Sequence, residues 1–419
     1  MNILWLKTEL LHPVDKGGKI RTYNMLKELK RDHRITYLTL DEGADSSAIS
    51  AASEYCHELI RIPFATHAKF TVGFYSDLFL NTASALPYAI AKYKSSDMRN
   101  SINDRLSKGD IDLLICDFLT PAVNLDFSVE CPAILFQHNV EAMIWKRHYQ
   151  VQSNAAKKTY LYTQWLKMRN FEERLCRRFD SVIAVSAEDR DQMRTEYSLD
   201  NVFDVPTGVD TEFFKPTGMM KRDPMNVVFT GSMDWLPNDD AIRYFTEEVL
   251  PLVRREVPGM SLTVVGRNPS SHLMELAIKD PLFTVTGRVD DVRPYMEKAA
   301  AYVVPLRIGG GTRLKIYEAM AMEKPIVSTS VGAEGLPLED GTELLLADDA
   351  HAFADAIVKL LKDDELAERI GSRAAYTVRE RFGWKQVATH FSDICEDTAR
   401  RRFSKADVVP SHQPLVYEQ

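Results

Sequence analysis

The chain has 419 residues, 45% hydrophobic and 27% charged, with a formal net charge of -8. That length suits two domains with sizeable cores, and the acidic balance excludes broad nucleic-acid binding. The five cysteines are odd in number, widely spaced and never arranged as C-x-x-C, so neither a disulfide framework nor a zinc site is indicated and a reducing compartment is expected.

The start, Met1-Asn-Ile-Leu-Trp-Leu-Lys7, is too short for a signal core and soon meets Glu9, Asp15 and Lys16. No 18-residue apolar run occurs, and a cytoplasmic location is expected. Residues 2–6 read as a buried strand, a loop carrying Gly17 and Gly18 leads into a helix ending near Arg31, and Ile35–Leu40 is a second strand. This βαβ unit puts the glycine pair where open parallel sheets bind ligands, with Lys19 or Arg21 beside it. Without G-x-G-x-x-G spacing, a simple helix-entry turn is the alternative.

Further strands fall at His57–Ile62, Ile111–Cys116 and Ala133–Gln137, separated by helical segments, which builds a doubly wound sheet. Asp117 follows one strand end, and Gln137-His138-Asn139-Val140-Glu141 marks another, so both sites face the carboxyl edge of the sheet. His138 is readable as a general base, a hydrogen-bond partner of an acceptor or a capping residue. Residues 143–178 oppose nine Lys or Arg to Glu172 and Glu173, with Trp145, Tyr149, Tyr160, Tyr162 and Trp165 interleaved. Such a stretch suits either an anionic membrane surface or a solvated helix face. The segment Phe70–Tyr93 extends an apolar surface for lipid or belongs to the core. After the strand Ser181–Ser186, the Pro, Thr and Gly of 206–218 read as a linker.

A second series of strands begins at Asn226–Ser232, Ser261–Gly266, Phe283–Gly287 and Ala301–Pro305, each ending in or near glycine. It leads to Gly309-Gly310-Gly311-Thr312-Arg313-Leu314-Lys315, a glycine loop entering a helix, and to a strand at Pro325–Ser330. Glycines let a backbone turn its N–H groups onto an anion, and the helix adds free N–H groups and a positive dipole end. Arg313 and Lys315 crowd that end with positive charge, which an anion offsets. Glu318 lies at i+3 from Lys315 and suits a ribose diol. A glycine turn before a helix with solvated charges is the alternative. Two helices are expected over 349–380 and a last one over 384–402.

Together these residues resemble a retaining glycosyltransferase of family 4 with the GT-B fold, two Rossmann-like domains facing a cleft. Gly17-Gly18, Pro206-Thr-Gly-Val-Asp210, Phe229-Thr-Gly-Ser232, Val264-Val-Gly266, Thr286-Gly287 and Tyr317-Glu-Ala-Met-Ala-Met-Glu-Lys-Pro-Ile-Val327 carry the likeness, which covers about residues 2–400. It implies an acceptor-binding domain over 1–210 completed by the helix 384–402, a donor-binding domain over 222–383, and a polar tail over 404–419. The implied donor is a UDP- or GDP-sugar, with no cofactor or metal required. Its expected contacts are Gly17, Gly18, Gly231, Ser232, Gly287, Gly310, Gly311, Thr312, Arg313, Lys315 and Glu318. His138, Arg313 and Lys315 are the expected catalytic groups, and Asp117, Asn139 and Glu141 the acceptor side. Glu318 matches the second glutamate of the family's E-x7-E motif, whereas Gly310 stands where the first belongs. The usual Arg and Lys pair is missing from Ser232–Asn238, so Arg313 and Lys315 are expected to neutralise the phosphates. Arg313→Ala is accordingly expected to weaken donor binding more than Arg267→Ala. The acceptor is expected to be a glycan or lipid-linked glycan of surface polysaccharide or glycoconjugate synthesis, with an anionic membrane surface as a further partner. A nucleotide-sugar epimerase on the same architecture and an inactive nucleotide-sugar-binding protein are the rival expectations.

Overall fold

The computed structural model describes residues 1–68, 70–308 and 314–406. Their contacts divide the chain into two units, one of Met1–Pro206 joined by residues from Ala388 onward, the other Thr207–Val387.

The first unit is a parallel sheet of seven strands: β1 (Asn2–Lys7), β2 (Arg34–Asp41), β3 (Glu58–Pro63), β4 (Leu113–Asp117), β5 (Ala133–Phe136), β6 (Ser181–Ala184) and β7 (Val202–Asp204). They lie in the order β3-β2-β1-β4-β5-β6-β7. The continuous apolar runs of β1 and β4 are explained by helices covering both faces of a parallel sheet; Ile3, Leu4, Trp5, Leu6 and Ile115 are all fully buried. Leu6 pairs with Cys116, which brings the ends of β1 and β4 side by side where the strand order reverses. The last helix, Trp384–Ala406, returns to this unit from Ala388, and its Phe391 packs on Trp5 and Phe136 at centroid distances of 5.8 and 5.1 Å. Thr398 adds a 2.7 Å hydroxyl contact to Ser181 on β6.

The second unit repeats the architecture with six parallel strands in the order β10-β9-β8-β11-β12-β13. These are β8 (Asp223–Thr230), β9 (Ser261–Val265), β10 (Phe283–Val285), β11 (Ala299–Val304), β12 (Ile326–Ser328) and β13 (Leu345–Leu346). Its reversal point lies between β8 and β11, the strands that lead into Gly231 and the glycine loop. Lys324 is buried beneath this unit, donating to the carbonyls of Glu297 and Ala299 at 3.0 and 2.9 Å. Glu297 in turn holds the chain just past the junction by accepting from Thr217 Oγ1 at 2.7 Å and from the Gly218 amide at 2.5 Å.

Candidate active site

At the reversal point of the first unit, four side chains from three neighbouring elements converge on one carboxylate. Asp117, the last residue of β4, is wholly buried. Its Oδ2 accepts from Trp5 Nε1 at 3.0 Å and Thr22 Oγ1 at 2.7 Å, and lies 2.9 Å from Lys7 Nζ. Its Oδ1 is 2.7 Å from His138 Nε2. Burial alone would raise the Asp117 carboxyl, but Lys7 and His138 hold it well below the usual carboxylate range. His138 experiences the opposite balance: burial pushes its imidazole down to about 4, against the pull of Asp117. The ring is therefore neutral at physiological pH. Its Nδ1 lies 3.5 Å from where a side chain on Gly18 would begin, so it sits against the entrance of the helix Gly17–Leu29. That entrance has no side-chain cap and no acid in its first turn, and Gly17 and Gly18 are exposed. Phe118, next to Asp117, takes φ +81°, a conformation that costs a non-glycine residue energy, and its ring meets His138 edge-on at 5.5 Å.

The loop carrying His138 and Asn139 is held from behind by Glu172 of the helix Ala155–Cys176. Glu172 accepts from Gln137 Nε2, the amides of Glu141 and Ala142, and Tyr197 OH at 2.8–3.0 Å. It thus caps the helix Glu141–Val151, whose own N-cap, Val140, has no oxygen to offer. Burial pushes Glu172 up to about 7, and Glu141 likewise to about 7.

In the second unit, the loop after β8 passes Gly231 and Ser232 into the helix Leu236–Tyr244. Lys315, from the helix Leu314–Ala321, reaches across to this loop. Its Nζ donates to Asn238 Oδ1 at 2.8 Å, lies 4.3 Å from the Phe229 ring centre, and would be 2.9 Å from a Cβ on Gly231. Asn238 passes the hold on by donating Nδ2 to Ser232 O at 2.8 Å. Arg267 Nε donates to Ser232 Oγ at 2.8 Å. Glu318 is half-buried one turn beyond Lys315, and burial pushes its carboxyl up to about 7 while Lys315 pulls it down. Gly287 has φ +69° and open space around it, so a ligand has room to approach its backbone. Gly310, Gly311, Thr312 and Arg313 lie outside the described residues. Among the described residues, no three His, Cys, Asp or Glu side chains gather as a metal site would require.

Two sequence families divide the chain between them. One described as Glycosyltransferase Family 4 matches residues 16–213, and one described as Glycosyl transferases group 1 matches 224–363, together well over half of the chain. The chain belongs to the family 4, group 1 glycosyltransferases. Among curated relatives of this glycosyltransferase, an uncharacterized 44.6 kDa protein in the cps region of Klebsiella pneumoniae is 25% identical over 63% of this chain and 68% of its own. A phosphatidyl-myo-inositol mannosyltransferase of Mycobacterium leprae is 29% identical over 47% of this chain and 54% of its own, so the match spans about half of that enzyme. Among solved structures, Anabaena HepE in complex with UDP superposes with a TM-score of 0.65 at 12% identity, covering 95% of this chain and 100% of that one. This glycosyltransferase has the GT-B fold.

The structure thus brings Asp117, His138 and Gly18 together in one unit, and Gly231, Ser232 and Lys315 together in the other, with Glu318 a turn away. Asp117, expected on the acceptor side, is wholly buried, with Oδ2 held by Trp5, Thr22 and Lys7 and Oδ1 against His138. Lys7, Trp5, Thr22, Asn238 and Glu172 escaped sequence reasoning. For Lys7 a signal existed: a cation closing an apolar strand next to a glycine pair. Nothing local distinguishes Trp5 or Glu172.

Proposed function

We propose that this glycosyltransferase moves a sugar from a UDP- or GDP-sugar to a glycan or lipid-linked acceptor, with retention at the anomeric carbon, in surface polysaccharide or glycoconjugate synthesis. The observation that carries the donor reading is Lys315 Nζ, fixed by Asn238 beside the bare backbone of Gly231, one turn from Glu318. A diphosphate placed there meets a positioned cation, with Glu318 in reach of a ribose diol. Lys315 then stabilises the charge that develops as the diphosphate leaves. His138, neutral and beside the open helix entrance at Gly18, can accept a hydrogen bond from the sugar or acceptor; Asn139 follows it on the same loop and Glu141 opens the next helix. Mannosyltransferases among the relatives favour a mannose donor, the complex of HepE with UDP a uridine one. The Klebsiella relative, named for its cps region, supports a polysaccharide setting.

A thermal-shift panel of UDP-, GDP- and ADP-sugars tests this. One nucleotide class is expected to raise Tm by several degrees, and Lys315→Ala and Glu318→Ala each to remove most of the shift. No shift with any nucleotide defeats the reading. A sugar product formed from donor alone, with no acceptor, turns it to the epimerase.

A further inference from the structure

The helix Val72–Asn81 is amphipathic in the reverse sense. Positions 72, 75, 76, 79 and 80 form one face by the i, i+3, i+4, i+7, i+8 rule, and all five face solvent. Four of them are Val72, Tyr75, Phe79 and Leu80, exposed by 88, 56, 76 and 67%, and Phe70 just upstream is 79% exposed. The polar side chains lie on the other side and hold the helix in place. Asp77 is 2.8 Å from His67 Nδ1, and Asn81 donates to Leu86 O at 3.0 Å and accepts from Gln164 at 3.3 Å. Even its glycine serves the anchoring: a side chain at Gly73 would begin 2.6 Å from the His67 ring. A solvated helix has its apolar stripe inward, so this one is secured with that stripe turned out.

Cations border it. Exposed Lys92 and Lys94 line a cavity of about 530 Å³ that also takes in Leu80 and Asn81, and Lys167 Nζ donates to Asn81 O at 2.8 Å. On a chain of net charge -8, the surface next to this apolar face carries Lys92, Lys94 and Lys167, with Asp77 paired to His67. That combination repels a second copy of itself and attracts an anionic sheet with an apolar interior.

We propose that the face of Val72, Tyr75, Phe79 and Leu80, bordered by Lys92, Lys94 and Lys167, seats the first unit in the interface of an anionic phospholipid bilayer. Seated there, the unit that carries His138 lies where a lipid-linked acceptor is presented. The inference does not rest on the transferase reading, because binding is measured without donor or acceptor and the two can fail separately.

Flotation of the full chain with phosphatidylcholine vesicles, and with vesicles that also contain phosphatidylglycerol, is the test. The chain is expected to float with the anionic vesicles only, and less at high salt. A Val72→Asp, Phe79→Asp double variant is expected to lose about tenfold in partitioning, and Lys92→Glu, Lys94→Glu several-fold. All four side chains are exposed, so an unchanged Tm is expected in both variants. Phe79→Trp keeps the face apolar, and its added emission is expected to shift to the blue on anionic vesicles. Binding to neither vesicle, equal binding by the Asp variant, an unmoved Trp emission, or a dimer that the Asp variant dissolves would each overturn the proposal.

Discussion

A methyl group on Gly266 would lie 1.7 Å from Gly231 O, and no side-chain movement relieves a clash with backbone. Gly266→Ala is therefore expected to abolish the nucleotide-induced Tm shift and destabilise the second unit by more than about 3 kcal/mol in chemical denaturation. Gly287→Ala, which meets only the conformational cost of φ +69°, is expected to lose about 1 kcal/mol. The glycines were legible as a row along a sheet edge, but the sequence does not distinguish one that admits a ligand from one that admits its neighbour's carbonyl. Protonation distinguishes the residues of the two units in the same manner. His138 titrates at about 4 when folded and about 6.5 when unfolded, so the unfolded chain binds the extra proton. Its stability contribution is complete above about 6.5 and lost as pH falls towards 4. An activity profile is expected to show no limb near 6.5 from this ring; such a limb, removed by His138→Gln, would contradict the buried neutral state. For Glu318 the folded carboxyl is raised to about 7 from an ordinary value of about 4.5, so stability falls as pH rises from about 4.5 and the loss is complete above about 7. A ribose diol that donates to the carboxylate repays this. Nucleotide affinity is expected to rise with pH across about 7, and Glu318→Gln to flatten the dependence in a binding titration.

Elements show a different division between what was readable and what was not. Strands of parallel sheets announce themselves because burial on both faces makes them uniformly apolar, as in β1, β4 and β11. The glycine-loop helix was equally plain. The support behind the His138 loop was not: Glu172 lies in a stretch whose visible character is basic, 31 residues beyond Glu141, whose amide it accepts. Four donors converge on it with no cation among them. Glu172→Ala leaves these donors buried and unpaired, and is expected to cost about 3 kcal/mol in a denaturant melt. Glu172→Gln keeps most acceptor capacity and is expected to cost half as much or less. The helix Val72–Asn81 was ambiguous in sequence between core and surface because periodicity reports two faces without saying which one turns inward. Only the anchoring of Asp77 and Asn81 decides it.

At the scale of the whole molecule, both parallel sheets were legible from the alternation of strands, helices and glycines. The contacts divide the chain after Pro206, at the start of the Pro, Thr and Gly stretch 206–218. The reason the last helix matters was hidden, since Trp5, Phe136 and Phe391 meet only in three dimensions. A chain ending at Val387 leaves two large aromatic side chains of the first unit uncovered, a loss of about 4 kcal/mol or more. Limited proteolysis of that truncation is expected to cut early within 1–206 while 207–387 resists; equal resistance of both would contradict the role given to Phe391. The same feature orders events on the ribosome. Synthesis runs from the first residue, yet the unit begun first is finished last, because Phe391, Cys395 and Thr398 emerge only after the whole of 207–387. Until then Trp5 and Phe136 lack the Phe391 ring that packs on them. For this chain the unit translated first is the last to receive all of its residues.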